Sequence, residues 1–210
     1  MFSFPSKIYP ITDIEISGLS HTEQVERLIA GGATLIQLRD KHSSPREFFA
    51  DAQAALALAH SSGVRIIIND RADIAFALKA DGVHLGQADI PPTAARELLG
   101  STALIGFSVH SVEQARLAAD MPVDYLGIGP VFPTSTKDNP DQVIGLKGLR
   151  RVREFVGDAR LVAIGGIGAK DIHAVLDSGA NAVALINALL QNPSQITTRM
   201  RELVLLSTAR

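Results

Sequence analysis

The feature that most restricts the possible folds is a regular alternation of two kinds of segment along the whole chain. Short apolar runs recur eight times, each bounded by Gly, Asp, Asn or Pro, which is typical of β-strands. Several are apolar throughout, as expected of strands covered on both faces of a parallel sheet. The predicted strands are Ile8–Thr12, Thr34–Arg39, Arg65–Asn69, Gly82–Leu85, Leu104–Ser108, Tyr125–Gly129, Leu161–Ile164 and Ala182–Ile186.

Between these runs lie Ala- and Leu-rich stretches with helical spacing. The predicted helices are Thr22–Ala30, Pro45–His60, Arg71–Lys79, Pro92–Leu99, Ser111–Ala119, Leu146–Val156, Asp171–Ser178 and Pro193–Leu206. Eight strands, each followed by a helix, in 210 residues predict an α/β fold, a single-domain (β/α)8 TIM barrel over residues 1–210. An open doubly wound sheet is the alternative, but that fold usually has fewer units and a glycine-rich loop after its first strand, which is missing here.

Composition and charge exclude several classes of protein. The chain has no cysteine, so disulfide scaffolds, thiolate metal sites and cysteine nucleophiles are excluded. A formal net charge of −2 does not suggest a nucleic-acid-binding protein. No apolar run reaches the roughly 18 residues of a membrane span, and the first residues lack the basic and apolar regions of a signal peptide. We therefore expect a cytoplasmic protein with no nucleic-acid or membrane partner.

A short polar side chain stands directly before three of the predicted strands. These residues are Asp81, Asp124 and Asn181. Such side chains bond to their own nearby backbone and turn the chain from a helix into a strand. We predict a purely structural role for all three.

Polar residues gather at the carboxyl ends of the predicted strands, where barrels of this kind carry their chemistry. The second predicted strand ends in Gln37, Arg39 and Lys41, the third in Asn69 and Asp70, and the fourth in His84 and Asp89. The fifth ends in Ser108 and His110, and the sixth runs into the loop Gly129–Lys137. The seventh ends in the pair Gly165–Gly166, and the eighth in Ile186 and Asn187. The opposite ends of the strands offer little beyond the three polar turns. The site is therefore predicted at one rim of the barrel.

The charges at this rim suit a complex of a metal ion with a diphosphate. Alternation along the strand lets Gln37, Arg39 and Lys41 point the same way, and a guanidinium beside an ammonium suits phosphate groups. Asp70 and Asp89, at the ends of adjacent strands, are ligands that Mg²⁺ takes together with substrate phosphates and water. Two alternatives stay open, a solvated loop for Lys41 and capping of the following helix by Asp89.

Other features of the rim carry weaker signals. Gly165–Gly166 lets backbone N–H groups approach an anion, although tight turns use glycine equally well. The loop Thr134–Lys137 adds hydroxyls and a cation but lacks the spacing of a P-loop. The histidines show no metal-ligand spacing, and His84 fits a satisfied interior histidine as well as a catalytic one. The absence of GxSxG and HExxH motifs disfavours hydrolases and zinc proteases.

Five motifs in this order resemble those of the thiamine phosphate synthase family. They are Gln37–Lys41 (QLRDK), Ile68–Arg71 (INDR), Val83–Asp89 (VHLGQAD), Gly129–Lys137 (GPVFPTSTK) and Ile164–Ile167 (IGGI). The resemblance runs through nearly the whole chain, from Tyr9 to Ile186. It implies a barrel that joins a hydroxymethylpyrimidine diphosphate to a thiazole phosphate and releases diphosphate.

The resemblance also implies a role for each matched residue. The pyrimidine diphosphate would be bound by Gln37, Arg39, Lys41 and Asn69. The thiazole phosphate would be bound by Thr134, Thr136, Gly166, Ile186 and Asn187. Asp70 and Asp89 would hold Mg²⁺, the implied cofactor. The residues expected to act in catalysis are Arg39, Lys41, Ser108 and Lys137. Of these, Ser108 and Lys137 would lie close to the departing diphosphate. The implied partners are thus two phosphorylated small molecules, and a homo-oligomer stays open.

One position departs from the family, and one stretch also fits a relative. The family usually has Ser or Thr after the Ile of the eighth strand, where this chain has Asn187, whose side-chain N–H can still reach a phosphate. The stretch Ser108–Ser111 (SVHS) also resembles the related thiazole tautomerase, in which such a histidine is implicated. That isomerase, and a non-catalytic barrel that binds thiamine intermediates, are the alternative functions.

Overall fold

Eight parallel strands close into a barrel in chain order, and the last strand pairs with the first. The computed structural model describes residues 3–134 and 142–209. The strands are β1 Ile8–Thr12, β2 Leu35–Leu38, β3 Arg65–Asn69, β4 Gly82–Leu85, β5 Leu104–Val109, β6 Tyr125–Ile128, β7 Leu161–Ala163 and β8 Ala182–Leu185. The predicted barrel is confirmed, and every predicted strand is found to within one residue at either end.

Helices connect the strands of the barrel. In the described ranges they are α1 Ile14–Ser17, α2 His21–Ala30, α3 Pro45–Ser61, α4 Ala72–Leu78, α5 Pro92–Leu99, α6 Val112–Ala118, α7 Gly145–Val156, α8 Ile172–Asp177, α9 Asn187–Leu190 and α10 Ile196–Thr208. All predicted helices are found with small shifts at their ends, and α1 and α9 are additional. Among the residues described, no helix is long and apolar enough to cross a membrane.

Capping side chains fix where the helices after β1 and β2 begin. The Ser44 hydroxyl accepts the N–H of Glu47, and the Glu47 carboxylate accepts the N–H of Ser44. Pro45 stands in the first turn of α3, where a backbone N–H has no helical partner in any case. Ser20 and Glu23 form the same reciprocal pair at the start of α2. These caps fix the points at which the two loops of the barrel mouth join their helices.

Successive strand residues face the barrel interior and the helix layer in turn. Ile36 and Ile66 belong to the large apolar core that the strands share with the helices. Tyr9, Ile67 and Tyr125 belong to a separate apolar cluster inside the barrel. Both sets are almost fully buried, which explains why the strands are mainly apolar in the sequence.

The three polar turns tie the amino ends of the strands together. In each turn the carboxylate or amide oxygen accepts an N–H of the preceding strand and a hydrogen bond from a basic side chain. Asp81 accepts the N–H of Ile66 at 2.8 Å and a hydrogen bond from His60. Asp124 accepts the N–H of Ile105 at 2.8 Å and a hydrogen bond from Arg96. Asn181 accepts the N–H of Leu161 at 2.8 Å and a hydrogen bond from Arg153. The predicted structural role of the three side chains is therefore correct. Their backbone partners, however, lie in the preceding strand and not in the neighbouring residues of the turn, because each helix brings the chain back beside the strand it follows.

Candidate active site

Three loops bring opposite charges together at the carboxyl end of the barrel. Lys41 follows β2, Asp70 directly follows β3, and Asp89 follows β4. The Lys41 ammonium forms an ion pair with one carboxylate oxygen of Asp70. The charge of Asp70 acts in turn on the neighbouring carboxyl of Asp89, where burial raises the pKa and Asp70 raises it further. The structure thus gathers three of the residues predicted for the site around one point of the mouth.

The two neighbouring carboxyl groups fit a bound cation. Burial raises the pKa of Asp89, the N–H of Gly86 at 2.6 Å works against this, and the charge of Asp70 raises the pKa further. A cation between two such groups relieves their repulsion. Asp70 has a φ of 59°, a left-handed conformation that Asp and Asn tolerate better than most residues. Because no cluster of three acidic or histidine ligands occurs within residues 3–134 and 142–209, water and substrate oxygens would complete the shell of a divalent cation here.

Arg39 is held at the mouth by the first loop of the barrel. Its guanidinium pairs with Asp13, which also caps α1 by accepting the N–H of Ile16 at 3.2 Å. The Arg39 side chain remains 18% exposed and that of Lys41 45% exposed. Both cations therefore keep a surface that an anionic substrate can reach.

A buried histidine, His21, supports the loop that carries these cations. Its Nδ1 lies 2.7 Å from the Thr12 hydroxyl, and its Nε2 lies 3.3 Å from the Asp40 carboxylate. Burial lowers the pKa of His21, against the effect of the surrounding carboxylates. Burial alone would raise the pKa of Asp40, but backbone N–H groups of its own loop hold it at about 2. The charged Asp40 therefore orders the loop after β2 from within.

A line of hydrogen bonds crosses the barrel interior below the charged mouth. The Gln37 amide donates to the Tyr9 hydroxyl at 3.0 Å, and the Tyr9 and Tyr125 hydroxyls are 3.0 Å apart. The Tyr125 hydroxyl lies 3.0 Å from Nδ1 of His84, whose Nε2 lies 2.9 Å from the Ser108 hydroxyl. The line links five strands and ends at Ser108, which is partly exposed at the mouth.

Two glycines make room for the His84 ring. A Cβ on Gly106 would lie 2.4 Å from His84 Nδ1 and 2.2 Å from Tyr125 Cζ, and a Cβ on Gly127 would lie 3.0 Å from His84 Cε1. The imidazole stacks on the Tyr125 ring at 5.5 Å between centroids. Burial lowers the pKa of His84 to about 4, against the charge of Asp70. The imidazole is therefore neutral at pH 7, with one donor and one acceptor nitrogen.

Across the barrel, the loops after β7 and β8 form the other side of the mouth. Gly166 has a φ of 64°, and a Cβ there would lie 2.3 Å from the carbonyl oxygen of Pro133, so only glycine fits. The side-chain oxygen of Asn187 is buried without a hydrogen-bond partner in the described chain. Because the two ends of an amide have the same shape, a half-turn would present its N–H₂ group instead. This side of the mouth thus combines a close backbone approach with an amide oxygen that has no partner in the described residues.

Comparison with known proteins identifies the barrel. The sequence model of the family described as thiamine monophosphate synthase matches residues 8–189. The chain belongs to the thiamine monophosphate synthase family. The family resemblance seen in the five motifs is therefore confirmed, and with it membership of a family of transferases.

Individual members of the thiamine monophosphate synthase family are similar over most of their length. The thiamine-phosphate synthase of Chloroflexus aurantiacus is 41% identical over 198 residues, which cover 94% of this chain and 90% of the relative. That of Methanospirillum hungatei is 44% identical over 187 residues, covering 89% and 90%. The solved structure of a thiamine phosphate pyrophosphorylase from Pyrococcus furiosus has a TM-score of 0.84 at 36% identity and covers 97% of both chains.

The remaining residues that the family resemblance assigns are placed only in part. Asn69 is buried at the end of β3, Thr134 follows β6, and Ile186 directly precedes α9. Thr136 and Lys137 lie outside the described residues. Their assigned roles stay predictions.

One alternative from the sequence is wrong. Asp89 does not cap the helix after β4, since the cap position of α5 is Pro91 and no side chain bonds to the helix start there. Asp89 closes its own turn instead, by accepting the N–H of Gly86. Its carboxylate is held at the mouth because that turn is complete before the two prolines begin the helix.

Sequence reasoning missed several side chains that support the site in this member of the thiamine monophosphate synthase family. They are Tyr9, Asp13, His21 and Tyr125. Asp13 carries a recognisable signal, because an Asp between a strand and an apolar turn is a typical helix cap. The tyrosines carry none, since an inward-facing Tyr in a strand cannot be told from an ordinary core residue before its hydroxyl partner is known.

The buried His21 and the half-buried His84 predict a loss of stability in mild acid. The folded pKa of His84 is about 4 and that of His21 is also below the usual 6.5, so the unfolded chain binds more protons in this range. For His84 the stabilisation is complete above pH 6.5 and is lost as the pH falls toward 4, by about 1 kcal/mol per pH unit, and His21 acts in the same direction. Urea unfolding between pH 7.5 and 5 measures this slope. His84→Gln should make it shallower and the exposed His173→Gln should not, and equal slopes in all three proteins would contradict the account.

Proposed function

We propose that this chain joins a hydroxymethylpyrimidine diphosphate to a thiazole phosphate, forming thiamine phosphate and releasing diphosphate, with Mg²⁺ as cofactor. The observation that carries the proposal is the ion pair of Lys41 with Asp70, whose charge also raises the pKa of Asp89 beyond the effect of burial, at the mouth of a barrel of this family. Cationic side chains beside metal-binding carboxylates suit a diphosphate that arrives with a divalent cation.

The two sides of the mouth suit two different phosphorylated substrates. In the proposal, the diphosphate lies against Arg39 and Lys41 on the side of β2 to β4, where Gln37 and Asn69 receive the pyrimidine. The thiazole phosphate lies across the barrel, near Gly166 and the amide of Asn187, with Ile186 beside them and Thr134 and Thr136 contributing hydroxyls. The unpartnered Asn187 side-chain oxygen supports this placement, because a half-turn of the amide would put its N–H₂ group at that position, free to donate to the phosphate.

The proposed chemistry is an ionisation followed by capture. The C–O bond between the pyrimidine methylene carbon and the diphosphate breaks, and its electron pair leaves with the diphosphate. Arg39, Lys41 and Lys137 stabilise the negative charge that grows there, which is the largest common contribution to catalysis. When bound, Mg²⁺ supplies further positive charge at the diphosphate oxygens. The electron-rich aminopyrimidine stabilises the carbocation, and the thiazole nitrogen donates its lone pair to form the new C–N bond.

This chemistry requires no general base. The attacking thiazole nitrogen carries no proton, so none has to be removed as the C–N bond forms. The residues of the mouth therefore act by binding, orienting and stabilising charge. Ser108 fits this description, since its hydroxyl can donate to an oxygen of the departing diphosphate.

The direct test is to supply the purified chain with both phosphorylated substrates and Mg²⁺. Thiamine phosphate, detected by mass spectrometry, and free diphosphate should form in equal amounts, and omitting either substrate should abolish thiamine phosphate. Binding of both substrates without either product would support a carrier instead. Conversion of the thiazole alone into an isomer would support the tautomerase.

His110 separates the synthase from the tautomerase. Its Nδ1 lies 2.8 Å from the carbonyl oxygen of Gly129, which can only accept, so this nitrogen donates and supports the loop. We expect His110→Ala to lower the rate of thiamine phosphate formation by less than about tenfold, the scale of one lost hydrogen bond. In a tautomerase the same change would remove a proton-transfer group worth about 10²–10⁴-fold. Assays of both reactions on the variant measure the difference, and a collapse of thiamine phosphate formation would contradict the synthase mechanism.

A further inference from the structure

The hydrogen bonds inside the barrel have a direction that the donor groups impose. The amide N–H₂ of Gln37 can only donate, and it points at the Tyr9 hydroxyl. The Tyr9 hydroxyl has its own proton left to donate, and its other hydrogen-bond partner in the described chain is the Tyr125 oxygen. Satisfying this buried proton makes Tyr9 donate to Tyr125, and Tyr125 then donates to Nδ1 of His84. Because Nδ1 accepts from Tyr125, it carries no proton, so the ring proton is on Nε2 and points at Ser108.

We propose that Gln37, Tyr9, Tyr125 and His84 form a one-way hydrogen-bond chain that holds His84 as its Nε2–H tautomer and leaves the Ser108 hydroxyl proton free for an anion at the barrel mouth. Tyr9, Tyr125 and His84 are positioning residues, because they act on the mouth only through Ser108. The use of that proton on a diphosphate rests on the proposed function, whereas the direction of the chain does not.

The direction decides what Ser108 offers to a substrate. In the reverse direction Ser108 would donate to Nε2 of His84 and would turn only lone pairs toward the mouth. A diphosphate oxygen also carries lone pairs, so the two groups would repel each other. In the forward direction Ser108 accepts from His84 and donates to the anion, which is the arrangement that stabilises a leaving group as its charge grows.

The surroundings keep the two tyrosines of the chain shielded from water and hold the half-buried His84 against them. Tyr9 and Tyr125 pack edge to face at 6.0 Å between ring centroids, among the apolar side chains of the barrel interior. Burial raises the pKa of both hydroxyls, so both retain the protons that the chain requires. Gly106 leaves no space between itself and the pair formed by Tyr125 and His84. The ring of His84 is therefore fixed before any substrate arrives.

The tautomer of His84 can be measured on the ligand-free, full-length chain. Nitrogen-15 NMR of protein labelled at histidine distinguishes a protonated ring nitrogen from a bare one, and the His84 signals are assigned by their loss in His84→Gln. At pH 7.5 we expect a protonated Nε2 and a bare Nδ1. A protonated Nδ1 would overturn the proposal. This result is independent of whether the chain makes thiamine phosphate, so a failure of the proposed function remains distinguishable.

A matched pair of variants tests the effect of the chain on turnover. Tyr125→Phe and Tyr9→Phe each delete one interior hydroxyl at the same depth, but only Tyr125 touches His84. We expect Tyr125→Phe to lower kcat about tenfold, with a smaller change in KM. Tyr9→Phe should lower kcat less than about threefold, because Tyr125 can still donate to His84 although nothing then imposes that direction. Similar melting temperatures would show that both variants are folded. A Tyr125→Phe variant with the kcat of the wild type, or of Tyr9→Phe, would overturn the proposal.

Discussion

Replacing Asp70 by Asn is expected to lower kcat for thiamine phosphate formation by about 10²–10³-fold, the loss typical of removing one group that stabilises transition-state charge. The substitution keeps the size of the side chain and suits the left-handed backbone, since Asn tolerates a φ of 59° as well as Asp does. It removes one of the two proposed metal-binding charges and unpairs the Lys41 ammonium. Steady-state kinetics at several Mg²⁺ concentrations should show both a lower kcat and a higher metal requirement.

Asp73 provides a matched control for this change. It lies three residues along the chain, is exposed on α4 and pairs with Arg71 instead of the mouth. Asp73→Asn should stay within about twofold of the wild type, since an exposed ion pair contributes little. If Asp70→Asn turned over as fast as Asp73→Asn, the carboxylate pair would have no part in the reaction.

Lys41→Gln is expected to lower kcat by about 10²-fold while changing KM for the pyrimidine diphosphate less. The reason is that the ammonium stabilises charge that is larger on the departing diphosphate than on the bound substrate. Lys7→Gln is the control, because Lys7 precedes β1 at the opposite end of the barrel. A variant with unchanged kcat and only a raised KM would show that Lys41 binds substrate and transition state equally.

The fold was predictable because the strands and helices each satisfy a local rule. Each strand is a mainly apolar run covered on both faces, and most boundaries have a turn residue or a cap, as at Ser44 before α3. The helices α1 and α9 escaped prediction because four residues are too few to show a helical period. The turns at Asp81 and Asp124 were placed correctly, but their partners depend on the closed barrel, which no local pattern describes.

The loops that form the candidate site could be predicted from the sequence, but the contacts between their side chains could not. Barrel topology places every strand end at one rim, so Arg39, Lys41 and Asp70 could be grouped before any coordinates were known. The pairing of Arg39 with Asp13 depends on the distance between two separate loops, which the sequence does not encode locally. The roles of Tyr9 and Tyr125 likewise depend on which residues face each other across the barrel interior.

Removal of divalent cations tests the central claim most directly, because the two carboxylates have no other proposed role at the mouth. The wild-type chain is freed of metal with a chelator, dialysed, and supplied with both phosphorylated substrates. We expect thiamine phosphate formation to fall to background and to return on addition of Mg²⁺, with Asp70→Asn requiring more Mg²⁺ for half-recovery. Full turnover of the metal-free wild-type chain would contradict the account.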